Sequence, residues 1–299
     1  MTLDQLQTLS RIVECGSLKL AADSLHKTQP ALSMAIKKLE QEYGFKILNR
    51  NSYRLSLTEE GRSFYRKAQE LLLNSQQLSS LGQHLGAGNE PLIRFAFDQA
   101  CPYSHILQVL KQCQQQYPST EFKISEKSRF GALDMLQHGQ ADLVVSPWWP
   151  TFYAAGDFDT LPIGHFRVLM VAAPELFPDG PVIHSEQLKS QVHLTLETSP
   201  FSFDSDSLML DKGVRRWKAE DSFTVKQLLL AGLGWGYVPE HLVKDELERG
   251  ELMRLTPKDV EYSVTGEVRL IRNLEDSLGP VASMIWQTFA QETSPDTAS

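Results

Sequence analysis

The chain of 299 residues has three cysteines, no apolar run of membrane-spanning length, and none of the short loops that mark common enzymes. Cys15, Cys101 and Cys113 show neither CxxC nor zinc-finger spacing, so a metal site is not expected. Cys101 and Cys113 are expected to flank one helix, which would hold them about 18 Å apart and exclude a disulfide. The opening residues form a polar helical pattern where an export signal would need an apolar core, which makes a cytoplasmic protein the expectation. A Walker loop and a GxSxG elbow are missing, and the eight histidines lack metal-ligand spacing. Gly232, Gly234 and Gly236 mimic a nucleotide loop but precede a strand-like run, leaving a phosphate no helix N-terminus to meet. They read as turn and packing glycines, and an enzyme is disfavoured.

Positive charge is scarce overall, with a formal net charge of −8, but it is unevenly placed. Residues 1–67 carry 11 Lys/Arg against 7 Asp/Glu, and the remainder 18 against 30. A basic head on an acidic body fits a DNA-binding module joined to a part that does not touch DNA.

The head carries the strongest pattern. A leading helix over 2–15 turns Leu6, Leu9 and Val13 inward. Ser17 then caps a short helix with Leu18, Ala21, Ala22 and Leu25 on one face. Thr28 caps a second helix, with Pro30 in its first turn, a buried stripe of Leu32, Ile36, Leu39 and Tyr43, and Gly44 as its stop. The outer face of that second helix presents Gln29, Pro30, Ser33, Met34 and Lys37, and its N-terminal end is the part of a recognition helix that meets base edges. Gln29 suits adenine. Alternation over Phe45–Thr58, with Asn51-Ser52 at the turn, predicts a hairpin wing whose Arg50 and Arg54 suit phosphates or a narrow minor groove. Ser17, Thr28, Gln29, Pro30, Ser33, Met34, Lys37, Arg50 and Arg54 are therefore the candidate DNA-binding residues.

Thr58-Glu59-Glu60 starts a long helix in which Phe64, Leu71, Leu78 and Leu85 repeat every seven residues, a seam suited to pairing two chains. Gly82, Gly86 and Gly88 before Pro91 place a hinge near 86–91. Beyond it strands and helices alternate: strands at 92–97, 121–125 and 141–146, with helices at 103–117 and 130–138, predict a parallel, doubly covered sheet. A second set follows, with strands at 165–173, 192–197 and 234–238, a helix at 222–231 and another from Pro239. A strand at 262–272 and a closing helix at 277–291 return the chain to the first lobe.

AADSLHKTQPALSMAIKKLE and LTEEG in the head, with AGLGWGYVPEHLV in the body, resemble the LysR-type transcriptional regulators over nearly the full length. Many relatives carry a basic residue where Met34 stands here. The resemblance implies an α/β protein: a winged helix-turn-helix at 1–58, a linker and dimerisation helix with hinge at 59–90, and an effector-binding domain at 91–299. The last would have two lobes, about 91–161 with 269–292 and about 162–268, as in periplasmic solute-binding proteins. It implies no catalysis, cofactor or metal. Double-stranded DNA, a small effector or oxidant, and a second copy in a homodimer or homotetramer are the implied partners, with RNA polymerase admitted and no membrane. A plain solute-binding protein is the rival of another class, opposed by residues 1–85.

Ligands of such open sheets bind beyond the C-terminal ends of the strands. Those ends supply Asp98, Gln99, Ala100 and Cys101, then Ser128 and Arg129, then Pro147, Trp148 and Trp149, with Thr198, Ser199, Pro200 and Phe201 expected opposite. Asp98 as a fixed negative charge would oppose an anionic effector, favouring a neutral, cationic or aromatic one. Cys101 beside a helix N-terminus, and Met209 in an irregular stretch, are candidate oxidant sensors.

Overall fold

The computed structural model describes residues 1–49, 55–150, 152, 156–197, 215–259 and 264–292. These divide into two compact units, Met1–Gly86 and Ala87–Ser299.

The first unit opens with α1 (Leu3–Cys15), fixed by a capping box in which Thr2 accepts from Gln5 N–H and the Gln5 side chain accepts from Thr2 N–H. Helix α2 (Leu18–Ser24) buries Ala21 and Ala22; Ser17 occupies its N-cap without a side-chain hydrogen bond. Helix α3 (Gln29–Tyr43) starts as its sequence dictates, with Thr28 Oγ1 accepting from Ala31 N–H and Pro30 in the first turn. Its stripe is Leu32, Ile36 and Leu39, which join Leu9, Ile12, Ala21 and Ala22 in one core. Tyr43 departs from the expected stripe and is 41% exposed, its ring set at a tilt against Phe45 and Phe64 at the rim.

Two short strands, β1 (Leu48–Asn49) and β2 (Ser56–Leu57), pair antiparallel and set the root of the wing; Asn51, Ser52, Tyr53 and the arginines Arg50 and Arg54 lie outside the described residues. The wing root is held by a buried carboxylate that sequence reading passed over. Glu40 Oε1 accepts from Ile47 N–H (2.9 Å) and Leu48 N–H (3.3 Å), and Lys46 pairs with Oε2 at 3.1 Å. Burial alone would raise that carboxyl, but those donors hold it below its ordinary value. Helix α4 (Glu59–Gly86) follows. Gly61 sits where no side chain fits, since a Cβ would lie 2.1 Å from the Ile47 carbonyl oxygen.

The second unit contains β3 (Leu92–Asp98), α5 (Tyr103–Gln116), β4 (Glu121–Lys127), α6 (Gly131–Gln137), β5 (Leu143–Trp148), β6 (Phe158–Ala172), β7 (Val182–Ile183), α7 (Ser185–Lys189), β8 (His193–Leu196), β9 (Arg216–Ala219), α8 (Ser222–Leu230), β10 (Trp235–Pro239), α9 (Glu240–Arg249), β11 (Met253–Arg254), β12 (Thr256–Pro257), β13 (Val264–Asn273) and α10 (Pro280–Glu292). Strand order in the main sheet is β4-β3-β5-β13-β6-β10-β8-β9, with β11 also on β6.

The first three strands are parallel as expected, but the sheet they belong to is mixed. The trios β4-β3-β5 and β10-β8-β9 are parallel, and they are joined by β6 and β13, which pair antiparallel with each other from Val264↔Val168 to Asn273↔Phe158. These two long strands carry the chain from lobe I to lobe II and back. Alternate residues pack to opposite faces: Phe95, Phe97, Leu143 and Val145 go to one lobe I core, and Ala96 and Val144 to the other. Lobe II divides the same way, with Leu169 and Val171 against α8 and α9, and Met170 and Ala172 on the reverse.

Candidate DNA-reading face and inter-lobe cavity

On α3 the buried stripe leaves the opposite side free. Thr28, Gln29, Pro30, Met34 and Lys37 are exposed and Ser33 is half-buried, all on one side of a helix whose other side is core. Ser17 is half-buried at the start of α2. Lys38, which sequence reading did not single out, is also exposed on α3.

In the second unit the strand ends converge. Asp98, Gln99, Ala100, Ser128, Arg129, Phe130, Pro147 and Trp149 of lobe I line a cavity of about 100 Å³ with Leu196, Ser222, Tyr237 and Pro239 of lobe II and Phe166, Val168 and Val264 of the crossover strands. Of the residues expected there, Asp98, Gln99, Ala100, Ser128, Arg129, Pro147 and Trp149 are brought together. Thr198, Ser199, Pro200 and Phe201 lie outside the described residues, as does Met209.

Two expected lining residues are elsewhere. Trp148, the last residue of β5, does not line the cavity and packs edge-on against Phe152 and Phe158. Cys101 is 0% exposed in the lobe I core. Burial, reinforced by the Asp98 charge, pushes its thiol well above the ordinary cysteine range, the reverse of the expected activation. All three cysteines are free thiols.

Asp98 also behaves differently from a bare charge. Its Oδ1 accepts from Ala100 N–H (2.9 Å) and its Oδ2 from Phe130 N–H (2.7 Å). Burial nevertheless lifts its pKa to about 6, helped by nearby Glu126. The Phe130 contact clamps a tight turn in which Arg129 (φ 47°) and Phe130 (φ 66°) both adopt the left-handed conformation, unfavourable for residues with a Cβ. That turn aims two side chains at lobe II. Ser128 Oγ donates to the Glu220 carbonyl (3.1 Å), and Arg129 Nη2 donates to Thr195 Oγ1 (3.1 Å). A third link runs from Ser222 N–H to Gln99 Oε1 at 2.9 Å.

Trp149 forms the aromatic wall, edge-on to Phe130 at 5.6 Å and to Phe166 at 5.7 Å. Phe166, Val168 and Val264 escaped the sequence reading because they lie on the crossover strands, away from the strand ends that were searched. No cluster of metal-ligating side chains occurs among the described residues, and no described helix is long and apolar enough to cross a membrane.

Comparison with known proteins agrees with both units. Residues 3–62 match the family of bacterial regulatory helix-turn-helix proteins, lysR family, and residues 86–294 match the LysR substrate binding domain. The chain is 25% identical over 293 residues to the probable HTH-type transcriptional regulator YhaJ of Escherichia coli, covering 95% of this chain and 94% of that one. It is 28% identical over 267 residues to the transcriptional regulator CrgA of Neisseria meningitidis, covering 84% of each. The solved structure of CrgA shares the fold with a TM-score of 0.51 at 18% identity, covering 98% of this chain and all of that one. Full-length LysG of Corynebacterium glutamicum, solved with bound effector Arg, shares it with a TM-score of 0.50 at 19% identity, covering 98% of each. With family models matching nearly its whole length, the chain belongs to the LysR family of DNA-binding transcriptional regulators and is not an enzyme.

Proposed function

We propose that this regulator reads a promoter inverted repeat with α3 and changes transcription when a small molecule enters the cavity between its lobes. The observation that carries the reading is the division of α3 into a fully buried stripe and an opposite side bearing exposed Gln29 and Lys37 with half-buried Ser33 between them. Gln29, Ser33 and Lys37 are assigned to the major groove, and the wing arginines Arg50 and Arg54 to phosphates or the minor groove. The effector is assigned to the cavity because polar groups from both lobes converge there on apolar walls. Filling it changes the relation of the lobes, which shifts the regulator between two assemblies on DNA.

Mobility-shift titrations at several salt concentrations test the DNA half. Gln29→Ala should relax sequence preference at one position, losing about 1–3 kcal/mol for the cognate base, and Arg54→Ala should weaken all duplexes alike while flattening the salt dependence. Unchanged binding in both variants would overturn the assignment.

A further inference from the structure

Two parts that read DNA separately give one register only if something sets the distance between them. In the head those parts are α3 and the wing, and one side chain joins them. Glu40 lies about three turns beyond Gln29 on α3, buried together with Leu32, Ile36 and Leu39. Its Oε1 accepts from Ile47 N–H at 2.9 Å and from Leu48 N–H at 3.3 Å. Leu48 begins β1, which runs in sequence straight into Arg50. The same stretch is fixed from α4: the Ile47 carbonyl accepts from Thr58 N–H at 3.1 Å, and Thr58 Oγ1 donates to the Lys46 carbonyl. Gly61 lets the start of α4 approach the Ile47 carbonyl where a Cβ would not fit. Residues 46–48 are thereby held between the reading helix and α4.

Stability alone is a poor reason for this carboxylate. A buried charge loses its hydration, and an apolar side chain of similar volume would fill the space without that loss. Its ion-pair partner Lys46 adds little, because the lysine side chain is exposed to water. What an apolar residue could not supply is direction. Bonds from two consecutive N–H groups to one charged oxygen fix the placement of the strand against the helix.

We propose that Glu40 is a positioning residue for DNA recognition: acting through β1 and not on DNA itself, it sets the wing cations Arg50 and Arg54 in register with Gln29, Ser33 and Lys37 of α3. This rests on the assignment of α3 and the wing to DNA, as proposed above.

A double-mutant cycle in the full-length protein tests it. The probes are a duplex enriched by the wild-type protein from a random library and an unselected duplex of equal length. Arg54→Ala should weaken both about tenfold and flatten the salt dependence by about one phosphate contact. Glu40→Met, similar in volume but without the acceptors, should do the same. Adding Arg54→Ala to Glu40→Met should then cost less than about twofold more, because the wing is already out of register. Gln29→Ala should still cost about tenfold on the enriched duplex in either background, since the α3 stripe keeps its core. Glu40→Gln, which retains one oxygen for the two donors, should restore most of the Arg54 effect. Glu40→Ala, which admits water to the two N–H groups, replaces Glu40→Met if circular dichroism shows the latter unfolded; unfolding of both would assign the carboxylate to folding alone and overturn the proposal. If the Glu40→Met and Arg54→Ala losses multiply, the wing does not depend on Glu40, and this inference falls while the wing keeps its assignment to DNA. If Arg54→Ala changes nothing in the wild-type background, that assignment falls and the inference with it. Loss of the Gln29→Ala effect alongside the Arg54→Ala effect would mean that Glu40 supports the whole head, which also overturns a positioning role.

Discussion

Asp98 joins three consequences in one side chain: it ends β3, it holds the left-handed turn at Arg129–Phe130, and through that turn it fixes where Ser128 and Arg129 meet lobe II. Its titration should be visible in stability. An aspartate has an ordinary pKa near 3.9, and burial raises this one to about 6, so between those values the folded state holds a proton that the unfolded chain has lost. The sign follows: the contribution is fully present below about pH 4 and is lost as pH rises through about 6, a change of about 3 kcal/mol. Asp98→Asn should remove that pH dependence, and its amide has a single oxygen for two backbone donors, so Ala100 or Phe130 N–H loses its acceptor. Denaturant melts of wild type and variant from pH 4 to 8 check this, since subtracting the two isolates Asp98 from the other carboxylates. A difference that does not vary with pH would refute it. Sequence position placed Asp98 at the cavity but not its partners, because Phe130 lies 32 residues further on and only the folded sheet brings its N–H there. Cys101 misled for a related reason. Proximity to a helix start in sequence says nothing about which way a thiol turns, and this one turns into the core.

Among the elements, α4 keeps the clearest record of its sequence. Leu71, Leu78 and Leu85 of the heptad series are 42%, 70% and 48% exposed within this chain, apolar side chains that a helix of a lone protomer would leave in water. We propose a second copy of α4 as their cover, on the ground of the seven-residue repeat. Leu78→Asp should therefore dissociate the assembly in sedimentation runs and weaken operator binding at least about tenfold, because an unpaired charge in an apolar seam costs several kcal/mol. A variant that sediments as wild type would mean that the seam lies elsewhere. The crossover strands show where sequence reading stops. β6 runs from Phe158 to Ala172, yet the expected strand began only at 165, beyond Pro162 and Gly164, two residue types that weaken strand patterns. The sheet absorbs them with a shift in register between Val268 and Arg269 of β13, where the irregularity accommodates the proline. Short β9, with Arg216, Trp217 and Lys218 all exposed, has no alternation to read and emerges only from its parallel pairing with β8.

At the scale of the whole molecule, the two units are built on separate cores. Leu9, Ile12, Leu32, Ile36 and Leu39 close the head, whereas the body divides its core between the faces of two lobes. The contacts of α4 group it with the head, the division falling at Gly86, at the edge of the hinge expected near 86–91. Helix α4 has a reason to belong there: its Phe64 and Tyr65 pack on the head core, and Ala68 is buried. Units with independent cores unfold as independent units unless a large apolar interface couples them. Thermal unfolding of the full chain should then show two transitions. A duplex carrying the operator binds only the folded head, so it should raise one transition, by about 2.7 kcal/mol of added stability at a hundredfold excess over its Kd, and leave the other in place. Tryptophan fluorescence identifies the second, because all five tryptophans, at 148, 149, 217, 235 and 286, lie in the body. If the duplex moves the tryptophan-reported transition as far as the one seen by circular dichroism alone, the units fold as one, and DNA binding by the head must be coupled energetically to the cavity through folding itself.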